Sequence, residues 1–61
     1  MYRIKIDGND FDAEGTIESF VLSQKKNPDS YLFLIGSVPV PMDITPDNGT
    51  NVDAIRVASG G

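Results

Sequence analysis

Apolar and polar positions alternate along the first thirteen residues. Tyr2, Ile4 and Ile6 are separated by Arg3 and Lys5, the two-residue period of a strand with one buried face. Asp7-Gly8-Asn9-Asp10 then supplies residues that tolerate positive φ, and Phe11 and Ala13 resume the alternation, so this stretch predicts a β-hairpin. The period changes at Thr16. A threonine suited to a helix N-cap precedes Ile17, Phe20 and Val21 at i, i+3 and i+4, and Glu18 lies in the first turn, where a negative charge meets the positive end of the helix dipole. A helix of about ten residues, roughly 15 Å long, is expected. Lys25-Lys26 suit its carboxyl end, and Asn27-Pro28 should stop it, with Asn27 as the left-handed cap.

The second half of the chain reads as strands again. Tyr31-Leu32-Phe33-Leu34-Ile35 is β-favouring and bounded by Asp29-Ser30 and Gly36-Ser37. Val38-Pro39-Val40-Pro41 fits only a short edge strand, because each proline withholds a ladder donor. Pro46-Asp47-Asn48-Gly49 is a turn, and residues 52–57 predict the last strand. The order strand, strand, helix, strand, edge strand, strand defines an α+β domain with one helix packed on one face of a mixed sheet of four to five strands.

Composition narrows the chemistry. Sixty-one residues make one small domain, and no composition shift or linker divides it. The chain has neither cysteine nor histidine, which removes the usual zinc, copper and iron–sulfur ligand sets and leaves no cysteine nucleophile or histidine base; no metal and no cofactor is expected. Five Lys and Arg against nine Asp and Glu give a net charge of −4, which repels phosphate backbones, so nucleic acid is not an expected partner. The longest apolar run is far too short to span a bilayer and the first residues lack a signal sequence, so no membrane association and a cytoplasmic location are expected. Asp7, Asn9, Asp10 and Asp12 lack the spacing, glycine and closing glutamate of a calcium loop and read as a solvated turn.

The sequence closes on Gly60-Gly61, a pairing that glycine usage alone produces at two given positions in about 0.5% of chains. The predicted last strand runs into it without insertion, through Val52-Asp53-Ala54-Ile55-Arg56-Val57-Ala58-Ser59. Upstream stand the turn Asn48-Gly49-Thr50, the Val-Pro hairpin Ile35-Gly36-Ser37-Val38-Pro39-Val40-Pro41, and the helix start Thr16-Ile17. On these residues the chain resembles the β-grasp family of ubiquitin-like proteins, in particular the thiamine-pathway sulfur carrier, the small subunit of molybdopterin synthase and the small archaeal ubiquitin-like modifiers. It departs from that pattern in two places: Asn48-Gly49-Thr50 replaces an acidic-Gly-acidic turn, and the loop over 42–47 is shorter, with Pro46 near the place where a leucine often packs.

The resemblance implies a β-grasp domain over 1–57 and a flexible tail over 58–61. In it the Gly61 carboxylate is the group acted upon, Gly60 precedes it, and Ala58 and Ser59 extend the small-residue stretch. A carboxylate must be activated before sulfur or nitrogen can attack it, and the chain has no G-x-x-x-x-G-K-[ST] loop to hold ATP. The expected partners are therefore a separate ATP-dependent activating enzyme, a persulfide-bearing sulfur donor, and a sulfur-accepting synthase, with the chain as cosubstrate and not enzyme. Two alternatives remain at this level: a protein modifier joined through Gly61 to target lysines, and a non-covalent interaction module. Because the run from Tyr31 to Ile35 is apolar on both faces and one helix covers one, either Tyr31, Phe33 and Ile35 or Leu32 and Leu34 face away from the helix, unless the 42–47 loop or an edge covers the outward set. By analogy with the family, Phe33, Ile35 and Val57 are the expected contact residues.

Overall fold

The computed structural model describes residues 1–57. Strand β1 (Tyr2–Ile6) and strand β2 (Asn9–Ala13) form the hairpin, followed by helix α1 (Ile17–Ser23), a 3₁₀ turn (Pro28–Ser30), and strands β3 (Tyr31–Ile35), β4 (Val38–Val40) and β5 (Asn51–Arg56). The five strands make one mixed sheet in the order β2-β1-β5-β3-β4. Only β1 and β5 run parallel; the other neighbours are antiparallel. With one helix against one face, this is the β-grasp arrangement, and it places the last strand at the centre of the sheet.

Local chemistry accounts for the turns. Asp7 and Gly8 have φ of 51° and 82°, and Gly36 and Ser37 have φ of 56° and 67°. Positive φ at both central residues is the signature of the type I′ turn, whose twist matches that of the strands it joins. Both hairpins thus close in two residues, which fixes the registers Ile6↔Asn9 and Ile35↔Val38.

The helix is shorter than its periodicity predicts. Thr16 is the N-cap, its Oγ1 accepting the Ser19 N–H at 3.1 Å. The two preceding N–H groups, which a helix start leaves without partners, donate to the following loop: Ile17 to the Ile44 carbonyl at 3.1 Å and Glu18 to the Met42 carbonyl at 2.8 Å. At the other end Lys25, at φ 60°, takes the left-handed position expected at Asn27. Its N–H reaches the Leu22 carbonyl at 2.9 Å and the Lys26 N–H reaches that of Val21 at 3.2 Å, the two bonds of a Schellman cap. Asn27 instead caps the 3₁₀ turn, its Oδ1 accepting the Asp29 N–H at 3.0 Å. The last strand also begins one residue earlier than expected, at Asn51, and ends at Arg56.

The core lies between helix and sheet. Tyr2, Ile4 and Ile6 of β1, Ala13 of β2, Ile17 and Val21 of α1, Tyr31 and Phe33 of β3 and Val52 of β5 are all buried. Phe11 and Phe20 flank them with ring centroids 5.9 Å apart in a tilted arrangement. Among the described residues, no helix is long and apolar enough to cross a membrane.

Candidate functional site

The region of interest is the carboxyl end of β5, because Gly60-Gly61 follows it in sequence. Gly61, Gly60, Ser59 and Ala58 lie outside the described residues. Among the described residues, the backbone hydrogen bond furthest along the chain is from the Val57 N–H to the Ser30 carbonyl, at 2.9 Å.

The pleat decides which side chains flank this end. Tyr31 and Phe33 point toward the helix, and Phe33 is 2% exposed. The expectation that Phe33 contacts a partner is therefore corrected: its ring fills the core. Ile35 is partly buried and packs against the same core. Val57 remains accessible at 39%. The outward positions of β3 are Leu32 and Leu34, and Leu32 lies in register opposite Ile55. Leu32 is 42% and Ile55 48% exposed, Leu34 is half-buried, and Val57 is next in the outward alternation of β5. The helix-free face thus carries an apolar group of Leu32, Leu34, Ile55 and Val57 at the end of the sheet where β5 finishes.

The other half of that face is charged. Lys5 sits in register between Asp10 of β2 and Asp53 of β5, and Arg3 pairs with Asp12 at 3.5 Å. Exposed ion pairs of this kind add little to stability, about 0–1 kcal/mol, but they bound the apolar group on one side. A cleft of about 230 Å³ lined by Met1, Tyr2, Arg3, Asp12, Gly49 and Asn51 lies at the opposite end of the sheet from Val57, and is smaller than the roughly 300–1,000 Å³ of most ligand pockets.

On the helix side, a polar junction closes the end of β5. Asp7 Oδ2 accepts hydrogen bonds from Lys26 Nζ at 3.1 Å, the Tyr31 hydroxyl at 3.0 Å and Arg56 Nη2 at 3.4 Å. Arg56 Nη2 also donates to the Tyr31 hydroxyl at 3.1 Å, and the guanidinium carbon lies 5.3 Å from the centre of the Tyr31 ring. The hydrogen bond from Lys26, followed by that from Tyr31, holds the Asp7 carboxyl below the usual carboxylate range. Nothing in the sequence marks this group, since its members are far apart and their types are ordinary for a surface.

No protein-family model and no curated protein matches the chain, so its fold and the residues around β5 carry the functional argument.

Proposed function

We propose that the chain is a ubiquitin-like sulfur carrier. A separate ATP-dependent enzyme adenylates the Gly61 carboxylate with loss of pyrophosphate; the terminal sulfur of a partner's persulfide then displaces AMP to give an acyl disulfide, and a second thiol of the partner, itself becoming part of a disulfide, releases the Gly61 thiocarboxylate for delivery to a sulfur-accepting synthase. The chain is the cosubstrate in this scheme. The supporting observation is the position of β5: it is the central strand, paired on both sides, and the sequence passes from it into Gly60-Gly61 through three residues after Arg56.

This geometry suits the chemistry. A reacting group mounted a few residues beyond a fixed strand reaches a docked active site at high effective concentration. Glycines without Cβ atoms pass through a narrow channel in whatever φ the partner imposes. Docking falls to the helix-free face, where Leu32, Leu34, Ile55 and Val57 present apolar surface next to the exit of β5. Activation consumes ATP, and the reading assigns the chain to the cytoplasm.

The test is the intact mass of the chain after incubation with ATP, its host's activating enzyme and a persulfide donor. Replacement of one carboxylate oxygen by sulfur at Gly61 supports the carrier. Conjugates that leave a Gly-Gly remnant on target lysines after digestion assign the same tail to protein modification, and an unchanged mass in both assays overturns both uses.

A further inference from the structure

The two edges of the sheet are built differently. At one edge the two-residue turn makes Ile35↔Val38 a hydrogen-bonded pair, so the residue of β4 whose backbone faces outward is Pro39, which has no N–H to offer a further strand. At the other edge β2 (Asn9–Ala13) contains no proline. The same rule makes Ile6↔Asn9 a hydrogen-bonded pair, so Phe11 and Ala13 also turn their N–H and C=O groups to β1, whereas Asp10 and Asp12 turn theirs outward. The bond from the Arg3 N–H to the Thr50 carbonyl, at 2.8 Å, agrees with this phase, because it directs the Arg3 backbone toward β5 and away from Asp12. Among the described residues, no turn or loop backbone group bonds to Asp10 or Asp12.

Side chains along this open edge specify what would extend it. On the helix-free face the cross-strand rows run Asp53, Lys5, Asp10 and Asn51, Arg3, Asp12, so a basic residue of β1 is followed in each by an acid at the edge. On the helix face the row between them is apolar, Val52, Ile4, Phe11, and Phe11 is half-buried against Phe20. A further strand continues both faces if it sets a Lys or Arg opposite Asp10, an apolar residue opposite Phe11, and a second Lys or Arg opposite Asp12. Another copy of the chain does not meet this requirement. Antiparallel pairing of two β2 strands about Phe11 sets Asp10 against Asp12, and like charges directly opposite destabilise a pair.

We propose that the β2 edge binds an extended segment of a partner protein that reads basic, apolar, basic, added to the sheet as a sixth strand. The backbone groups of Asp10 and Asp12 supply the hydrogen bonds, their carboxylates select the basic residues, and Phe11 with Phe20 receives the apolar one. This use of the edge does not depend on the carrier reading and stands whether or not Gly61 is activated.

Amide hydrogen exchange of the whole chain, with and without the capped peptide Thr-Lys-Ile-Lys-Thr at millimolar concentration, tests the site. Bound peptide should slow exchange of the Asp10 and Asp12 amides about fivefold, the factor carried by one ordinary hydrogen bond, while the Phe11 amide, already bonded to β1, is unchanged. Asp10→Asn and Asp12→Asn together should weaken binding about fivefold, the scale of two exposed ion pairs, with the Ile4 amide keeping its protection. If that variant loses Ile4 protection, added salt decides on the wild-type chain: about 1 M should weaken the lysine peptide similarly, and unchanged binding overturns the charge selection. No slowing at Asp10 and Asp12 overturns the site, and equal slowing by the same peptide with Glu in place of both lysines overturns the basic requirement. Slowing that grows with the concentration of the chain alone assigns the edge to a second copy and overturns the proposal as well.

Discussion

Leu32 and Ile55 stand opposite each other across β3 and β5 on the face of the sheet that the helix does not cover. Phe33, one residue along the same strand, is sealed in the core. Neighbouring apolar residues of one short strand therefore have opposite roles, and substitution should separate them. Leu32→Ala or Ile55→Ala should cost about 0.2–1 kcal/mol of stability, the scale of a cross-strand pair, and weaken docking to the activating enzyme about tenfold. Phe33→Ala should cost about 3–5 kcal/mol, close to the whole stability of a domain this small. Urea unfolding combined with titration calorimetry distinguishes the two; equal docking by wild type and Leu32→Ala removes this face from the interface.

Lys25 holds a left-handed φ in the Schellman cap that glycine adopts without steric cost. Lys25→Gly should raise stability by about 0.5–1 kcal/mol, read from the urea midpoint at unchanged m-value. A loss of stability would place the weight on the lysine side chain.

Tyr2 is buried, and among the described residues its hydroxyl finds no hydrogen-bond partner. Burial pushes its phenol up from the usual tyrosine value. Tyr2→Phe removes an unsatisfied polar atom while keeping the ring, so thermal unfolding should show equal or higher stability, by about 1 kcal/mol. A clear loss would reveal a partner for the hydroxyl.

The Asp7 carboxyl is held below its ordinary range by Lys26 first and Tyr31 next. A group with a folded-state pKa below its unfolded one contributes stability in full above the unfolded value, and that contribution is lost as pH falls through the folded one. The stability difference between wild type and Asp7→Asn should therefore hold steady above about pH 4 and shrink on further acidification. A difference that stays constant through that acid range contradicts the ionic role of Asp7.

Much of the fold was legible because alternation is a direct record of burial. Tyr2, Ile4 and Ile6 gave β1, paired prolines marked β4 as an edge, and Asp7-Gly8 and Gly36-Ser37 gave the turns. The orientation of β3 was not legible, because Tyr31-Leu32-Phe33-Leu34-Ile35 is apolar at every position and the period-two signal vanishes. Family analogy then pointed to Phe33, which its burial in the core that also holds Ile17 and Val21 makes unavailable. The helix end was misplaced for a different reason: Lys25 has no intrinsic preference for positive φ, and tertiary context overrides propensity there. The Asp7 junction had no local signal, since it is made by residues 7, 26, 31 and 56 meeting only in the folded chain. Gly60 and Gly61, the residues on which the functional reading rests, were recognisable in the sequence alone.

In the proposed reaction Gly61 carries the reacting carboxylate. The most direct test of this is exchange of labelled pyrophosphate into ATP by the host's activating enzyme, measured with the whole chain and with a chain lacking Gly61. Exchange should depend on the chain and disappear when Gly61 is deleted. Exchange of equal rate without Gly61, or none with the whole chain, would contradict it.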